Sequence, residues 1–428
     1  MIGEAIVHVG MHKTGSSSIQ ETLSRMGMAG VQYLQLSGSA NHSGFFGTLL
    51  SDKPENFDAN LMNGRDAEES NRRKRHFAEI FERELSQTSA DRILISAELL
   101  SAPWVTVSML ENLREKLIKK CRRVRVIAYV RPPVGYMQSA FQQRLKGGDL
   151  SNFTPASLYP RYRKRFEKLF SVFGSSSVLL CPFNSSTLTD GDVVKDFSER
   201  IGVVVKDESI LRTNESLTLE AAAVLYAFRK FGVSNYYDGF TSDNDQLVHS
   251  ISRIGRRKLI LAPDLVEPVL QANSADIEWV NERLEIPIED APRKSKYVIG
   301  SEDDLLEVAK EHREDLIRLI KESVLKPEMH LNVVEQLDLL TLITSSGPLR
   351  YRSGYPACLG TKSDSFSLFQ NTDLEPAELL REAAAVFSQV EPRVSEGLRI
   401  SAIRADRKMA FDKQGFVEKA SKPKEEGR

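Results

Sequence analysis

Residues 5–20 read AIVHVGMHKTGSSSIQ, and the order of residue types in this stretch decides the fold class. Residues 5–9 are apolar or β-prone, the composition of a short buried strand. Residues 10–18 then supply two glycines, one lysine and four hydroxyls. Ile19, Leu23 and Met26 follow at helical spacing. Strand, small polar turn and helix together make an architecture that can cradle phosphate. The helix start offers N–H groups without intrahelical partners and the positive end of the dipole. Glycines let backbone approach a ligand, and Lys13 adds a point charge. An ordinary strand-turn-helix corner would share this pattern, so the stretch needs support from elsewhere. It also departs from the triphosphate loop GxxxxGK[ST], because Lys13 precedes Gly15 and the hydroxyls follow it.

Support comes from residues 124–145, VRVIAYVRPPVGYMQSAFQQRL. An apolar run from Val124 to Val130 ends at Arg131, and two prolines then suit a helix start. Ser139 lies eight residues after Arg131, near the middle of that helix. Arginine grips phosphate through a bidentate fork. Taken singly, Arg131 reads as a helix-flanking surface cation and Ser139 as a polar helix position.

The order Lys13-Thr14-Gly15-Ser16-Ser17-Ser18 resembles the 5′-phosphosulfate loop of sulfotransferases, and Arg131 with Ser139 resembles that family's 3′-phosphate pair. The resemblance covers about residues 1–290, with its specific motifs in 5–20 and 124–145. It implies a P-loop-like, doubly wound parallel α/β sheet flanked by helices. It further implies 3′-phosphoadenosine 5′-phosphosulfate as sulfuryl donor, held by Lys13, Thr14, Gly15, Ser16, Ser17, Ser18, Arg131 and Ser139. The Arg-Lys-Gly element that many cytosolic members close over the 3′-phosphate is absent in that form. Gly255-Arg256-Arg257-Lys258 is basic, but its pattern is that of a solvated helix face.

Between the two motifs, residues 91–101 read DRILISAELLS. Ile93 to Ser96 look like another buried strand, with Glu98 just past its end. In open parallel sheets, ligands bind outside the carboxyl ends of the strands, so Lys13, Glu98 and Arg131 should converge there. Members of the resembled family that act on heparan-type glycans use a glutamate as base, and those acting on phenols and steroids use a histidine. Glu98 resembles the glycan-type base, while a carboxylate at a helix start is also favoured by the dipole alone. His12, inside the loop, is the rival base.

Composition narrows the field further. The chain has 428 residues, 41% of them hydrophobic, enough for one large α/β unit with an appendage. A net charge of −1 gives no global attraction to nucleic acid, and the basic runs at 72–75, 119–125 and 161–165 read as solvated helix faces, without aromatic interleaving of the nucleic-acid-binding kind. Cys121, Cys181 and Cys358 are too scattered for a disulfide framework or a zinc site, so no metal is expected. No apolar run approaches the roughly 20 residues of a membrane span, and the sequence enters its first strand directly, so neither leader nor anchor is expected. A cytoplasmic, bacterial enzyme follows as the expectation.

Along the chain, strands and helices alternate to about residue 210. Helices are expected at 16–27, 68–88, 107–119, 133–145 and 159–173, and strands at 31–36 and 178–181. Residues 37–66, rich in Gly, Ser, Asn and Asp, read as a long loop, either a substrate gate or a surface excursion. Asn214 or Ser216 is the expected cap of a helix over 217–231, and Ser274 of one over 274–285. From 301 a strong amphipathic helix begins, with further helices near 331–343 and 375–390. The expected division is a sulfotransferase-like α/β domain over 1–300, a helical extension over 301–418 and a disordered tail over 419–428. The extension could cover the sheet, bind a partner or join copies into a homo-oligomer.

The reading is therefore a transferase that moves a sulfuryl group onto a hydroxyl or amine, with carbohydrate among the candidate acceptors. Two alternatives stand beside it. A non-catalytic nucleotide- or glycan-binding protein could keep the same scaffold. A P-loop kinase fits less well, since Lys13 is in the wrong register and no magnesium-binding Asp clearly follows a strand.

Overall fold

A computed structural model of the chain describes residues 1–11, 13–61, 65–148, 153–212, 216–231, 242–290, 297–324 and 381. The strands are β1 (Ile2–Gly10), β2 (Val31–Tyr33), β3 (Arg92–Ser96), β4 (Cys121–Val130) and β5 (Val178–Pro182). The helices are α1 (Ser16–Arg25), α2 (Ser43–Leu50), α3 (Asp58–Leu61), α4 (Ala67–Gln87), α5 (Val107–Ile118), α6 (Pro133–Gly147) and α7 (Tyr162–Phe173). They continue with α8 (Val193–Arg200), α9 (Leu219–Phe231), α10 (Ser242–Ile251), α11 (Pro263–Ala272), α12 (Ser274–Asn281), α13 (Glu302–Glu311) and α14 (Arg313–Val324). The chain divides into two compact units. One comprises Met1–Phe141, Thr154–Ser216 and Leu261–Lys296, the other Gln142–Phe153, Leu217–Ile260 and Tyr297–Arg428.

The first unit is built on a five-stranded, wholly parallel sheet in the order β2-β3-β1-β4-β5. After β1 the chain lays down β2 and β3 on one side, then crosses β1 to add β4 and β5 on the other. This is the doubly wound, P-loop-like α/β arrangement expected from the alternation of strands and helices. Successive residues of β1 face opposite sides, and Ala5, Ile6, Val7 and Val9 are all buried, so helices cover both faces. On one face Ile6, Leu94, Ile127 and Tyr129 pack against Ile19 and Leu23 of α1 and Val194 and Phe197 of α8. Helices α5 and α7 pack against β4. The buried Glu4 near the start of β1 is matched by Arg123 and Arg125 of β4, each 3.1 Å from its Oε1.

The second unit contains α9, α10, α13 and α14. Ala221 to Phe228 of α9 are buried, and α13 packs against α9. The Glu302 carboxylate, in the first turn of α13, accepts hydrogen bonds from Tyr226 and Lys230. Ser301 and Asp304 form a capping box at the start of α13.

Several sequence expectations change. The stretch 37–66 is not one long loop: it holds α2 and α3, and the apolar run inside SGFFGTLL drives α2 inward. Phe45 stacks on Phe77 of α4 with centroids 4.4 Å apart. Residues 255–258 leave the helix, because Gly255 has φ 71° and Arg257 turns to Glu220 at 2.7 Å. The cap of α9 is Thr218, whose hydroxyl accepts from the Ala221 amide at 3.0 Å, not Ser216. Asn273 takes the cap position of α12 in place of Ser274, and that helix stops at Asn281. The helix from 301 divides at His312, whose ring meets Asp315 at 2.6 Å in the first turn of α14. His12, Asn214, the helices expected at 331–343 and 375–390, and the tail at 419–428 lie outside the described residues.

Candidate active site at the carboxyl edge of the sheet

The switch point of the sheet lies at β1, with β3 on one side and β4 on the other. In register, His8 pairs with Ser96 of β3 and Gly10 with Tyr129 of β4. The three segments leaving these strands therefore start side by side: the loop after Gly10, the turn holding Glu98, and the Arg131 turn into α6.

The loop takes an unusual path. Lys13 has φ 63° and Gly15 φ 72°, both in the left-handed region. For a lysine this conformation is strained and survives only where neighbours enforce it. One such neighbour is Arg131, whose Nη1 donates to the Lys13 carbonyl at 2.6 Å. Thr14 is buried, and its hydroxyl donates to the Met11 carbonyl at 2.8 Å and lies 3.3 Å from Ser16 Oγ. The hydroxyls of Thr14 and Ser16 thus hold the shape of the loop from within. Gly15 is the N-cap of α1 and, having no side chain, makes no side-chain cap bond to that helix. Ser17 is half-buried and Ser18 buried in this first turn.

Glycine is required twice here. A Cβ on Gly10 would sit 2.6 Å from Ser16 Oγ, 2.9 Å from Thr14 Oγ1 and 3.9 Å from Glu98 Cγ. A Cβ on Gly15 would sit 2.4 Å from Val193 Cγ1. The same geometry brings Glu98 against the loop. A 3-10 turn, Glu98–Ser101, carries the carboxylate. Ser101 Oγ pins that turn to the loop, donating to the Gly10 carbonyl at 2.6 Å and within 3.1 Å of the Glu98 carbonyl. Burial holds the Lys13 ammonium below the usual lysine range, with Arg131 pushing the same way and Glu98 opposing.

Arg131 is fixed by several groups. Its own carbonyl accepts from the Tyr162 hydroxyl at 2.6 Å, and its guanidinium lies 5.7 Å from the Phe183 ring centroid. The amides that open α6 are taken by Asp290, which accepts from Val134 at 2.8 Å and from Gly135 at 3.0 Å. Ser139 is buried further along α6. Lys13, Glu98 and Arg131 are therefore brought together, while Ser101, Tyr162, Phe183 and Asp290 are supporting residues that no sequence motif marks.

Beneath the site lies a second group missed in the sequence. His8 Nδ1 is 2.7 Å from Ser96 Oγ, which also accepts from Gln20 Nε2 at 3.0 Å. The Ser96 amide donates to His42 Nδ1 at 3.2 Å, so His42 must be neutral at that nitrogen. Burial pushes both histidines down from 6.5 to about 4. Both stay neutral in the folded chain but take up protons on unfolding below pH 6.5. Their contribution to stability is present above pH 6.5 and is lost as pH falls toward 4. The expected loss is about 2 kcal/mol per histidine between pH 7 and pH 5. Urea denaturation at the two pH values checks this, and an unchanged midpoint would refute it.

Comparison with solved structures finds a crystal structure of a sulfotransferase from Alicyclobacillus acidocaldarius. It is 14% identical, with a TM-score of 0.35, over 66% of this chain and 96% of that one. No family model and no curated protein matches the chain. Among the described residues, no helix is long and apolar enough to cross a membrane, and no group of three or more His, Cys, Asp or Glu side chains could hold a metal ion.

Proposed function

We propose that the first unit is a sulfotransferase that binds 3′-phosphoadenosine 5′-phosphosulfate and moves its sulfuryl group to a hydroxyl or amine. The observation that carries this reading is the 2.6 Å bond from Arg131 Nη1 to the Lys13 carbonyl. It joins the two sequence motifs, which lie 118 residues apart, into one cationic site at the switch point. The residues present fit such a donor. The start of α1, the left-handed Lys13 and Gly15 and the tight surroundings of Gly10 form a backbone cradle suited to the 5′-phosphosulfate. Arg131, with Ser139 on the following helix, would meet the 3′-phosphate.

In this reading Glu98 accepts the acceptor's proton as the acceptor oxygen or nitrogen bonds to sulfur. The bond from sulfur to the donor's phosphate oxygen breaks, and Lys13 and the α1 amides take up the charge left on that phosphate. Thr14 and Ser16 keep the loop in shape. The placement of Glu98 beside the loop favours an enzyme over a binding protein.

Donor choice tests the proposal. The product nucleotide, 3′-phosphoadenosine 5′-phosphate, should bind about 10–150-fold more tightly than adenosine 5′-phosphate, since losing a charge-assisted phosphate contact costs about 1.5–3 kcal/mol. Calorimetry with both nucleotides decides the matter. Equal affinities, or preference for ATP with magnesium, would overturn the reading.

A further inference from the structure

Three elements hold the turn that carries Glu98. On the β1 side, the Ala97 amide donates to the His8 carbonyl at 2.9 Å, and Ser101 ties the turn to Gly10. Past its end, the buried Lys168 of α7 donates to the Ala102 and Val105 carbonyls at 2.5 Å and 2.8 Å. The β2 side is built differently. β2 ends at Tyr33, and the next residue gives β3 one more bond, from the Leu34 amide to the Leu94 carbonyl at 3.1 Å. Ser96, two residues on, would then present a bare sheet edge. His42, the N-cap of α2, closes that edge. Its amide donates to the Ser96 carbonyl at 2.9 Å, and its Nδ1 accepts from the Ser96 amide at 3.2 Å. A single residue thus makes both bonds that a neighbouring strand would make, one of them with its side chain. The following residue adds a third, since the Leu99 amide, inside the turn, donates to Ser43 Oγ at 3.3 Å.

The imidazole does not stand there to improve the count of hydrogen bonds. It is fully buried, with the Tyr33 and Phe46 rings 5.1 Å and 6.4 Å away between centroids. With Nδ1 accepting, the ring proton is on Nε2, and that atom has no hydrogen-bond partner among the described residues. An aliphatic side chain in its place would leave the Ser96 amide unpaired instead. Either way one buried N–H goes unmade, and an unmade buried N–H destabilises the fold. What the imidazole changes is where the unpaired group lies. It moves it from the backbone of β3 to the far side of a ring, and so fixes Ser96, two residues before Glu98.

We infer that His42 is a positioning residue for the base: by gripping both backbone groups of Ser96 it locks the end of β3 and the direction in which Glu98 leaves it. This rests on the transferase reading, in which Glu98 takes the acceptor's proton. Two substitutions separate gripping from packing. Asparagine sets its Oδ1 the same number of bonds from the backbone as Nδ1, so it can accept from the Ser96 amide, but it leaves a cavity where the ring stood. Leucine fills more of that space and cannot accept. If His42 served only the core, His42→Leu would be both the more stable and the more active of the pair. As a positioning residue, it is the less active one.

The test compares the two variants in the full chain. Turnover is read as release of 3′-phosphoadenosine 5′-phosphate from the donor, with an added acceptor or with water in its place, which gives inorganic sulfate. His42→Leu should lower kcat by about 10–100-fold, the usual effect of a small misplacement at a reacting group, and His42→Asn should recover most of that loss. Donor KM should hold in both, because His42 joins β3 on the side away from β1 and its loop. Placed in Glu98→Gln, the leucine substitution should cost less than about twofold more, since the group it positions is gone. Equal kcat in the two variants, a faster His42→Leu, or the full loss repeated in Glu98→Gln overturns the positioning role and leaves the transferase reading standing. If His42→Leu does not fold, Ser43→Ala takes its place, removing only the Leu99 bond at a half-buried position. Its kcat should fall severalfold with donor KM unchanged, and an unchanged kcat overturns the role. Calorimetry with 3′-phosphoadenosine 5′-phosphate runs alongside. If that nucleotide fails to bind the wild-type chain, the transferase reading falls and the role of His42 falls with it. If it binds but the donor releases nothing, Glu98 is not a base and His42 has nothing to position.

Discussion

Glu98→Gln should lower turnover on a working acceptor by about 10²–10⁴-fold, the usual effect of removing a general base. Nucleotide affinity should change little. The substitution keeps the size of the side chain, and Ser101 holds the turn beneath it through backbone carbonyls, at 2.6 Å and 3.1 Å. The required measurement pairs steady-state turnover with calorimetry on the same variant. If turnover survives in Glu98→Gln but is lost in His12→Asn with binding intact, the base is His12 and the likeness to the glycan-type base is wrong. If Glu98→Gln loses nucleotide binding as well, the carboxylate is part of the cradle.

Lys13→Ala should lower kcat/KM by about 10²–10³-fold, since the ammonium neutralises an anionic donor and the charge that grows on the departing phosphate. Lys13→Arg should recover little, because a planar fork does not replace a compact ammonium in a tight loop. Lys13→Gly separates charge from conformation. With φ 63° at this position, glycine relieves backbone strain that alanine keeps. The glycine variant should therefore melt at a higher temperature than the alanine variant, by the equivalent of about 1 kcal/mol, while being equally inactive. Full activity in Lys13→Ala would reduce the loop to a structural corner.

Much of this site was legible in the sequence because its parts are local. Strand, small turn and helix are contiguous in residues 5–20, so periodicity and composition expose them together. The apolar runs ending at Ser96 and Val130 announced where Glu98 and Arg131 would emerge, and a parallel sheet brings such ends to one edge. The supports were not legible, because they arrive from distant segments with no pattern of their own. Asp290 reaches Val134 and Gly135 across more than 150 residues. Tyr162 and Lys168 sit in a helix whose basic run at 161–165 reads as a solvated face, yet Arg165 of that run is buried, as is Lys168 just beyond it. The stretch 37–66 was misread for the opposite reason: polar neighbours diluted the short apolar run that makes α2.

The bond between Arg131 and the Lys13 carbonyl has a thermodynamic corollary. It ties the guanidinium that would meet one end of the nucleotide to the backbone that would meet the other. Groups at the two ends then cannot relax independently, and occupancy of one end must alter the affinity of the other by the same factor in both directions. A donor analogue bearing both phosphates should therefore gain more than the sum of its halves. In Arg131→Lys, which keeps the charge but loses the fork, that surplus should shrink even though each half still binds.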